Sequence, residues 1–240
     1  MDGLGEGYWW TMADQDRSPL TDSRRSTLRR KKERGSRDRP MIDAILDEGL
    51  VCHVGFTEKG STFVVPTAYA RVGDSVCLHG APANHMLNAL AAGADACLTV
   101  TLLDGLVLAR SAFHHSMNYR SVMLFGSGSR VDDPAEKLSA VTAILEHLAP
   151  GRGAAARPPS NSELRATLVV RMPIREGSAK IRSGGPIDDA ADAALPVWAG
   201  QLPFELTAGP AVSDSGLPDG IDIPEYVSHY PTRRHLPHPG

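Results

Sequence analysis

The stretch VVPTAYARVGDSVCLHGAPANHMLNAL, residues 64–90, decides the fold of this chain. Gly73-Asp74 separates two apolar runs with a period of two, which predicts a β-hairpin. The second strand ends at His79-Gly80-Ala81-Pro82, and proline favours the first turn of a helix. Asn84 and His85 open that helix, whose free N–H groups and dipole attract anions. The segment therefore predicts a phosphate site at the end of the hairpin. An ordinary capped helix with an exposed histidine is the equal alternative.

The composition excludes several classes of protein. The chain has 240 residues, a formal net charge of −3 and a pI of about 6.3, which gives no bias toward nucleic acid or anionic lipid. No apolar run reaches the ~20 residues that cross a bilayer, and the N-terminus lacks the pattern of a secretory signal. Cys52, Cys77 and Cys97 lie in apolar runs, which predicts reduced, buried thiols in a cytoplasmic protein without a disulfide or metal site.

A basic arm precedes the predicted fold. Residues 24–39 contain nine cations and two anions, so the local charge is 9 − 2 = +7. A solvated, partly disordered arm is the first interpretation, with its C-terminal part ordered against the domain. Contact with nucleic acid or a phosphate is the alternative, and a targeting role comes last. We expect no nucleic-acid partner, because no basic face with interleaved aromatic residues accompanies the arm.

Alternating apolar residues predict strands through most of the chain. The predicted strands are 50–56, 61–70, 75–79, 96–103, 118–131 and 166–174. The predicted helices run from 40 to 49, from 84 to 92, from 134 up to 150 and from 162 to 165. Strands with inserted helices, and no GxGxxG motif after a strand, predict an antiparallel barrel rather than alternating βαβ units.

The segment from Arg110 to Ser121 is the densest polar cluster in the chain. Adjacent histidines on extended backbone face opposite sides, so His114 and His115 do not readily share one metal ion. A single histidine could bind haem iron or hydrogen-bond a flavin or substrate. Arg120 could pair with a phosphate, and Tyr119 could stack on an aromatic ring or fill the core. We favour ligand contact over a strand–loop–strand whose polar groups satisfy one another.

Two further segments give weaker indications of ligand binding. Lys180 and Arg182 share one side of residues 178–183, where surface cations are the default interpretation. Trp198 lies in a loop-rich tail, either as a packing residue or as a platform for a flat cofactor. The sequence contains no Ser-His-Asp pattern, Walker loop or metalloprotease helix.

Several stretches resemble one known family. VVPTAYARVGDSVCLHGAPANHML (64–87), DGLVLARSAFHHSMNYRSVMLFG (104–126) and ALPVWAG (194–200) are similar to FMN-binding split-barrel proteins related to pyridoxamine 5'-phosphate oxidase. The likeness is to the bacterial subgroup that includes nitroimidazole-resistance relatives. The basic TLRRKKERGSRDRP (27–40), followed by IDAILDEGLVCHVGF (42–56), resembles the start of that subgroup.

The resemblance implies a mainly β (α+β) fold. It is a six-stranded antiparallel split β-barrel with a few peripheral helices, forming a homodimer with FMN in two clefts at the interface. The domain covers residues 27–206. Residues 1–26 are then a flexible N-terminal arm, and residues 207–240 an irregular C-terminal tail.

The resemblance also implies a cofactor site. The backbone of Val65, Pro66 and Thr67 would lie against the isoalloxazine ring. The other implied contacts are His79, Asn84 and His85 around the phosphate, assisted by Tyr119, Arg120 and Ser121, with Trp198 closing the site from the partner subunit and Lys180 and Arg182 as weaker candidates. Relatives usually carry Ser-Arg at the Asn84-His85 position, and a neutral histidine is a poorer phosphate partner than arginine. Either this difference weakens FMN binding, or Arg120 and an N-terminal arginine such as Arg34 supply the missing phosphate contact.

The sequence predicts an FMN-dependent oxidoreductase acting on a small organic substrate, pyridoxamine-phosphate-oxidase-like or nitroreductase-like. His114 or His115 is the candidate for proton transfer. The alternative is a non-catalytic flavin- or haem-binding protein of the same fold. A nucleic-acid-binding protein that uses residues 24–39 ranks third.

Overall fold

The structure is a computed structural model that describes residues 18–231. Its strands are β1 (Gly35–Ser36), β2 (Val51–Glu58), β3 (Ser61–Ala68), β4 (Ala70–Val72), β5 (Ser75–Gly80), β6 (Asp95–Leu108), β7 (Ser116–Ser127), β8 (Ser129–Arg130), β9 (Leu168–Pro173), β10 (Glu176–Arg182) and β11 (Gly200–Pro203). Its α-helices are α1 (Arg39–Glu48), α2 (His85–Ala91), α3 (Pro134–Leu148), α4 (Arg152–Ala155), α5 (Asn161–Arg165) and α6 (Glu225–Ser228).

Two antiparallel sheets form the barrel. The larger sheet has the order β1-β10-β7-β6-β2-β3, with β11 paired to β6, and the smaller sheet has the order β4-β5-β9-β8. The long strands β6 and β7 pair along nearly their whole length, with one irregularity between Leu103 and Gly105. The predicted split barrel with peripheral helices is confirmed.

Alternation along the strands places the core between the two sheets. On β2, Cys52, Val54 and Phe56 are buried while the residues between them are half-buried or exposed. Val54 pairs with Leu98, which pairs with Leu124, so one row of buried side chains crosses three strands. A second, smaller apolar cluster lies under α3 and includes Cys77, Val169 and Ile144.

Side-chain caps begin α1 and α3. Asp38 accepts a hydrogen bond from the Met41 N–H at 3.1 Å at the start of α1. Asp133 accepts hydrogen bonds from the N–H groups of Ala135, at 3.0 Å, and Glu136, at 2.8 Å, at the start of α3. Each cap satisfies donors that the helix itself leaves free, and each is followed by a proline in the first turn.

The basic arm and the described residues just before it pack against the domain. Leu20 is buried in the core, and Thr21 forms a single parallel bridge with Glu176. Arg25 forms two 2.8 Å hydrogen bonds with the carboxylate of Glu176 and lies over the ring of Phe125. In the C-terminal part of the arm, β1 pairs with β10, as Gly35 with Lys180 and Ser36 with Ala179, so the predicted ordering of that part is found. The predicted flexible segment lies largely outside the described residues.

The described residues contain no helix that is long and apolar enough to cross a membrane. Their thiols are free: Cys52 and Cys77 are buried, and Cys97 is half-buried. Burial raises the pKa of Cys52 to about 12, which makes this thiol a core side chain and not a nucleophile.

Candidate functional site

One face of the larger sheet is open. It is carried by the side chains that alternate with the core residues of β2, β3, β6, β7 and β10, and we name it the outer face. Val51, Val64, Leu103 and Met123 project from it and are 41–64% exposed. Exposed apolar side chains grouped on one face are typical of a binding site or a subunit interface.

The strand register brings four predicted site residues onto the outer face. Ser121 pairs with Thr101 on one side and Lys180 on the other, and its hydroxyl donates to the Lys180 carbonyl at 3.2 Å. Tyr119 is two residues before Ser121 on β7 and is half-buried. Pro66 pairs with His53, on the opposite side of β2 from the core residue Val54.

The side chains of Val65 and Thr67 are on the core side of the sheet, opposite the outer face. Val65 pairs with buried Val54 and packs against the core, and Thr67 pairs with buried Cys52. Since β3 is the last strand of the larger sheet, its outer edge offers backbone groups and not these side chains. This placement agrees with the predicted backbone contact, and Pro66, which has no N–H, is typical of an edge strand.

Arg120 lies inside the barrel and not on the outer face. Its Nε and Nη2 atoms are 3.1 Å from the Asp104 carboxylate, and its Nη1 and Nη2 atoms bind the Glu48 carboxylate. Burial lowers the pKa of Arg120, but the hydrogen bonds to Glu48 and Asp104 outweigh this and raise it. Because two carboxylates use its donors, the geometry does not support the predicted phosphate contact.

The predicted phosphate seat at α2 is not supported either. Asn84 does begin the helix, as predicted, but its side-chain oxygen accepts the Leu87 N–H at 3.0 Å. The His85 ring contacts the Glu58 carboxylate and lies against Phe63, with ring centroids 5.0 Å apart. The His85 hydrogen bond lowers the pKa of Glu58. An anion already stands at this helix start, and a phosphate there would be repelled.

His79 lies in the smaller sheet, away from the outer face. It is on the same side of β5 as Cys77, which packs in the cluster under α3. Its Nδ1 atom is buried without a hydrogen-bond partner among the described residues, and burial lowers its pKa. The hydrogen-bond donors of Arg182 are used by the backbone. Its guanidinium donates to the carbonyls of Gly184, at 2.7 Å, and Gly185, at 2.9 Å.

The adjacent histidines lie on a loop held at both ends, and we name residues 110–115 the histidine loop. Arg110 donates to Asp188 from its backbone at 2.9 Å and from its guanidinium at 2.8 Å. His114 ends a single 3-10 turn, and its Nε2 is 3.2 Å from the Asp189 carboxylate. His115 follows, with its Nδ1 2.9 Å from the Ser111 carbonyl. The sequence analysis assumed extended backbone at both histidines, and the 3-10 turn at His114 corrects this; the two rings have different partners.

Trp198 lies beside this loop through β11. The indole is 66% exposed and folds over Gly200, where an added Cβ would come within 2.7 Å of its Cζ2 atom. Gly200 pairs with Leu108, near the end of β6. A four-residue strand in a Pro- and Gly-rich tail has no periodicity to reveal it. The sequence analysis therefore missed β11, and it also missed Asp188 and Asp189, which resemble ordinary solvated acids.

The described residues contain no group of three or more His, Cys, Asp or Glu side chains that could hold a metal ion. The open antiparallel barrel, its apolar outer face and its exposed tryptophan define the class of split-barrel proteins. The sequence matches the family described as pyridoxamine 5'-phosphate oxidase over residues 38–181, and the chain belongs to that family.

Solved structures agree with this assignment. The chain is 38% identical to the flavocytochrome Anf3 from Azotobacter vinelandii, with a TM-score of 0.81, over 88% of this chain and 98% of that one. It is 33% identical to the FAD and haem binding protein from Mycobacterium smegmatis, with a TM-score of 0.80, over 84% and 100%. A candidate 5-nitroimidazole antibiotic resistance protein from Bacteroides thetaiotaomicron is 26% identical, with a TM-score of 0.50, over 60% and 84%. No curated protein sequence matches.

Proposed function

We propose that this protein is a flavocytochrome, an oxidoreductase that binds a flavin and a haem. One observation carries the proposal: two structures named for haem or a flavocytochrome match 84% and 88% of this chain at 33% and 38% identity. A flavin exchanges one or two electrons at a time, whereas a haem exchanges one. The two cofactors together therefore suit electron transfer between a two-electron donor and a one-electron acceptor.

The outer face suits the flavin. The open edge of β3 at residues 65–67 offers backbone groups to a flat polar ring, and Tyr119 and Ser121 lie on the same face. Lys180 supplies a cation there and pairs with Gly35 of the basic arm. These residues contact the flavin in this proposal, and Arg120, Asn84 and His85 do not.

The basic arm favours FAD over the predicted FMN. Arg34 directly precedes Gly35, which pairs with Lys180, and Arg182 lies two residues further along β10. Burial lowers the pKa of Arg182, and the charge of Arg34 lowers it further. Arg29, Arg30 and Lys32 are exposed nearby along the arm. The two linked phosphate groups of FAD extend further than the single phosphate of FMN, so cations spread along the arm could contact both of them. The M. smegmatis relative is named for FAD.

A second copy of the chain covers the outer face in this proposal. Val51, Val64, Leu103 and Met123 together expose more apolar surface than solvent-facing strands ordinarily carry. Exposed Trp198 would then reach a cleft between two copies. The homodimer predicted from the sequence thus gains support from this face, and the free thiols support the predicted cytoplasmic location.

His114 keeps its predicted role in proton transfer within this proposal. The Asp189 carboxylate, 3.2 Å from its Nε2, would orient the ring. A small organic substrate, as predicted from the sequence, would then exchange a hydride with the flavin beside this histidine.

The absorbance spectrum of the purified protein tests the proposal. We expect flavin bands and a Soret band together, and mass spectrometry of the denatured supernatant should release FAD. FMN in its place would contradict the role of the arm. A protein with neither absorbance, even after incubation with flavin and haemin, would refute the proposed function.

A further inference from the structure

His115 is the described histidine whose ring is arranged as an iron ligand. A backbone carbonyl can only accept a hydrogen bond, so the Nδ1 atom, 2.9 Å from the Ser111 oxygen, carries the proton. The lone pair of the neutral ring is then on Nε2. Histidines that ligate metals usually donate their other ring N–H to a carbonyl or carboxylate in this way.

The backbone around His115 is held in place before any ligand binds. The Arg110–Asp188 contacts fix the start of the histidine loop, and the Ser111 hydroxyl accepts the Phe113 N–H at 3.2 Å. The His114–Asp189 contact fixes the turn that precedes His115. A ligand held by surrounding contacts loses little freedom when it binds a metal.

The surface next to His115 suits a porphyrin. Phe113, two residues before it, is 88% exposed, and Met117, two residues after it, is 50% exposed. Met117 pairs with Leu106, which pairs with Leu202, and Leu202 is 49% exposed. The indole of Trp198 lies two residues before β11. A haem is a flat and largely apolar ring. Exposed apolar side chains of this kind are typical of a ligand-binding surface.

The other described histidines lack this combination. His85 contacts Glu58, His114 contacts Asp189, and His147 donates to the Gly49 carbonyl from a part-buried position. His79 is half-buried on the side of the α3 cluster.

Two further described histidines are exposed. His53 projects from the middle of the outer face, and none of the described residues forms a hydrogen bond that fixes its ring. His229 has a carbonyl partner, but its Nδ1 is shared between the Glu225 carbonyl and the Ser228 hydroxyl, both at 3.2 Å, in the C-terminal segment.

We propose that Nε2 of His115 is an axial ligand of the haem iron, with the porphyrin lying on Phe113, Met117, Leu202 and Trp198. This assignment rests on the proposed flavocytochrome function. It separates the roles of the two adjacent histidines: His115 binds iron, and His114, which contacts Asp189, does not.

Haemin titration of the full-length protein tests the assignment. In His115→Ala we expect haemin affinity to fall at least ~10-fold and the Soret band to move toward that of unligated haemin. Added imidazole should restore the wild-type band, because it supplies the missing nitrogen ligand. His229→Ala is the matched control, since that histidine also has a carbonyl partner, and it should leave the titration unchanged.

Each possible result decides between explanations. A wild-type titration and Soret band in His115→Ala would overturn the assignment, as would loss of the band in His53→Ala or His114→Ala with His115 intact. Circular dichroism and flavin content, measured on every variant, distinguish loss of the ligand from loss of the fold. A wild-type protein that binds flavin but no haemin would instead refute the haem half of the proposed function.

Discussion

The guanidinium of Arg120 and the carboxylate of Asp104 are in contact inside the barrel, with Nη2 3.1 Å from Oδ1 and side-chain exposures of 5% and 3%. Glu48 completes the group from the end of α1. Side chains from α1, β6 and β7 therefore meet at one buried cation, and its removal would take a counter-charge away from the buried Asp104 carboxylate.

Arg120→Ala should destabilise the fold severely. Breaking a buried ion pair by removing one partner costs about 3–5 kcal/mol, because the remaining charge stays desolvated. Urea unfolding measures the loss. Arg130→Ala is the control: Arg130 and Asp132 are 56% and 75% exposed, and such pairs contribute at most ~1 kcal/mol. A stable Arg120→Ala protein that has lost only its flavin would show that the phosphate contact predicted from the sequence is correct.

The attachment of the basic arm should depend on pH. The hydrogen bonds from Arg25 and then Ser23 lower the pKa of Glu176 from 4.5 to about 2. A carboxyl whose pKa is lower in the folded state stabilises that state fully above its unfolded pKa, and the contribution is lost as the pH falls from about 4.5 toward 2. The difference in unfolding free energy between wild type and Glu176→Gln should therefore shrink between pH 7 and pH 3.

A matched variant isolates the arm contact. Glu136→Gln removes a carboxylate whose contact with Arg171 is 3.4 Å long and exposed, so it should show a much smaller difference from wild type at pH 7. Equal effects of the two substitutions at pH 7 would contradict the importance of the Arg25–Glu176 pair.

Gly200→Ala should displace the indole of Trp198. The new Cβ would lie 2.7 Å from Cζ2 and 2.9 Å from Cη2, closer than real contacts allow. In a Trp9→Phe, Trp10→Phe background, the fluorescence of the remaining tryptophan should shift. Gly209→Ala has open space around its new Cβ and should leave the emission unchanged. An unshifted spectrum in Gly200→Ala would show that Trp198 does not lie over this glycine in solution.

Val64→Lys should separate the proposed dimer. Val64 is 64% exposed on the outer face, and a lysine there would bring a charge into an apolar interface. Sedimentation velocity should show a monomer for this variant and a dimer for wild type. Val212→Lys, at a 94% exposed position in the C-terminal tail, is the control and should remain dimeric. Wild-type sedimentation of Val64→Lys would place the interface elsewhere.

Local patterns predicted the elements of this fold well. The period-two runs located β2, β6 and β9, and the predicted helices 40–49 and 134–150 match α1 and α3 closely. The start of α2 at Asn84 was also predicted. Each of these depends on residues within one turn or one strand, so the sequence contains the whole signal.

Contacts between distant segments could not be predicted in the same way. Arg120 looked like a phosphate ligand, because nothing in its neighbourhood shows that Glu48, 72 residues earlier, reaches it inside the barrel. His85 looked free for the same reason, although Glu58 contacts it from the β2 hairpin. The histidine loop was identified as the densest polar segment, but its acidic partners lie 75–78 residues further along the chain.

Pro66 has a consequence for how this protein behaves when its concentration is low. It lies in β3, the last strand of the larger sheet, where Phe63 and Val64 are 36% and 64% exposed. An exposed edge strand of this kind can pair with strands from other chains and begin fibrillar aggregation. A residue without an N–H interrupts the ladder that an added strand would need. The proline at this edge, which in the proposed function faces a flavin, would therefore also protect a dissociated chain from polymerising.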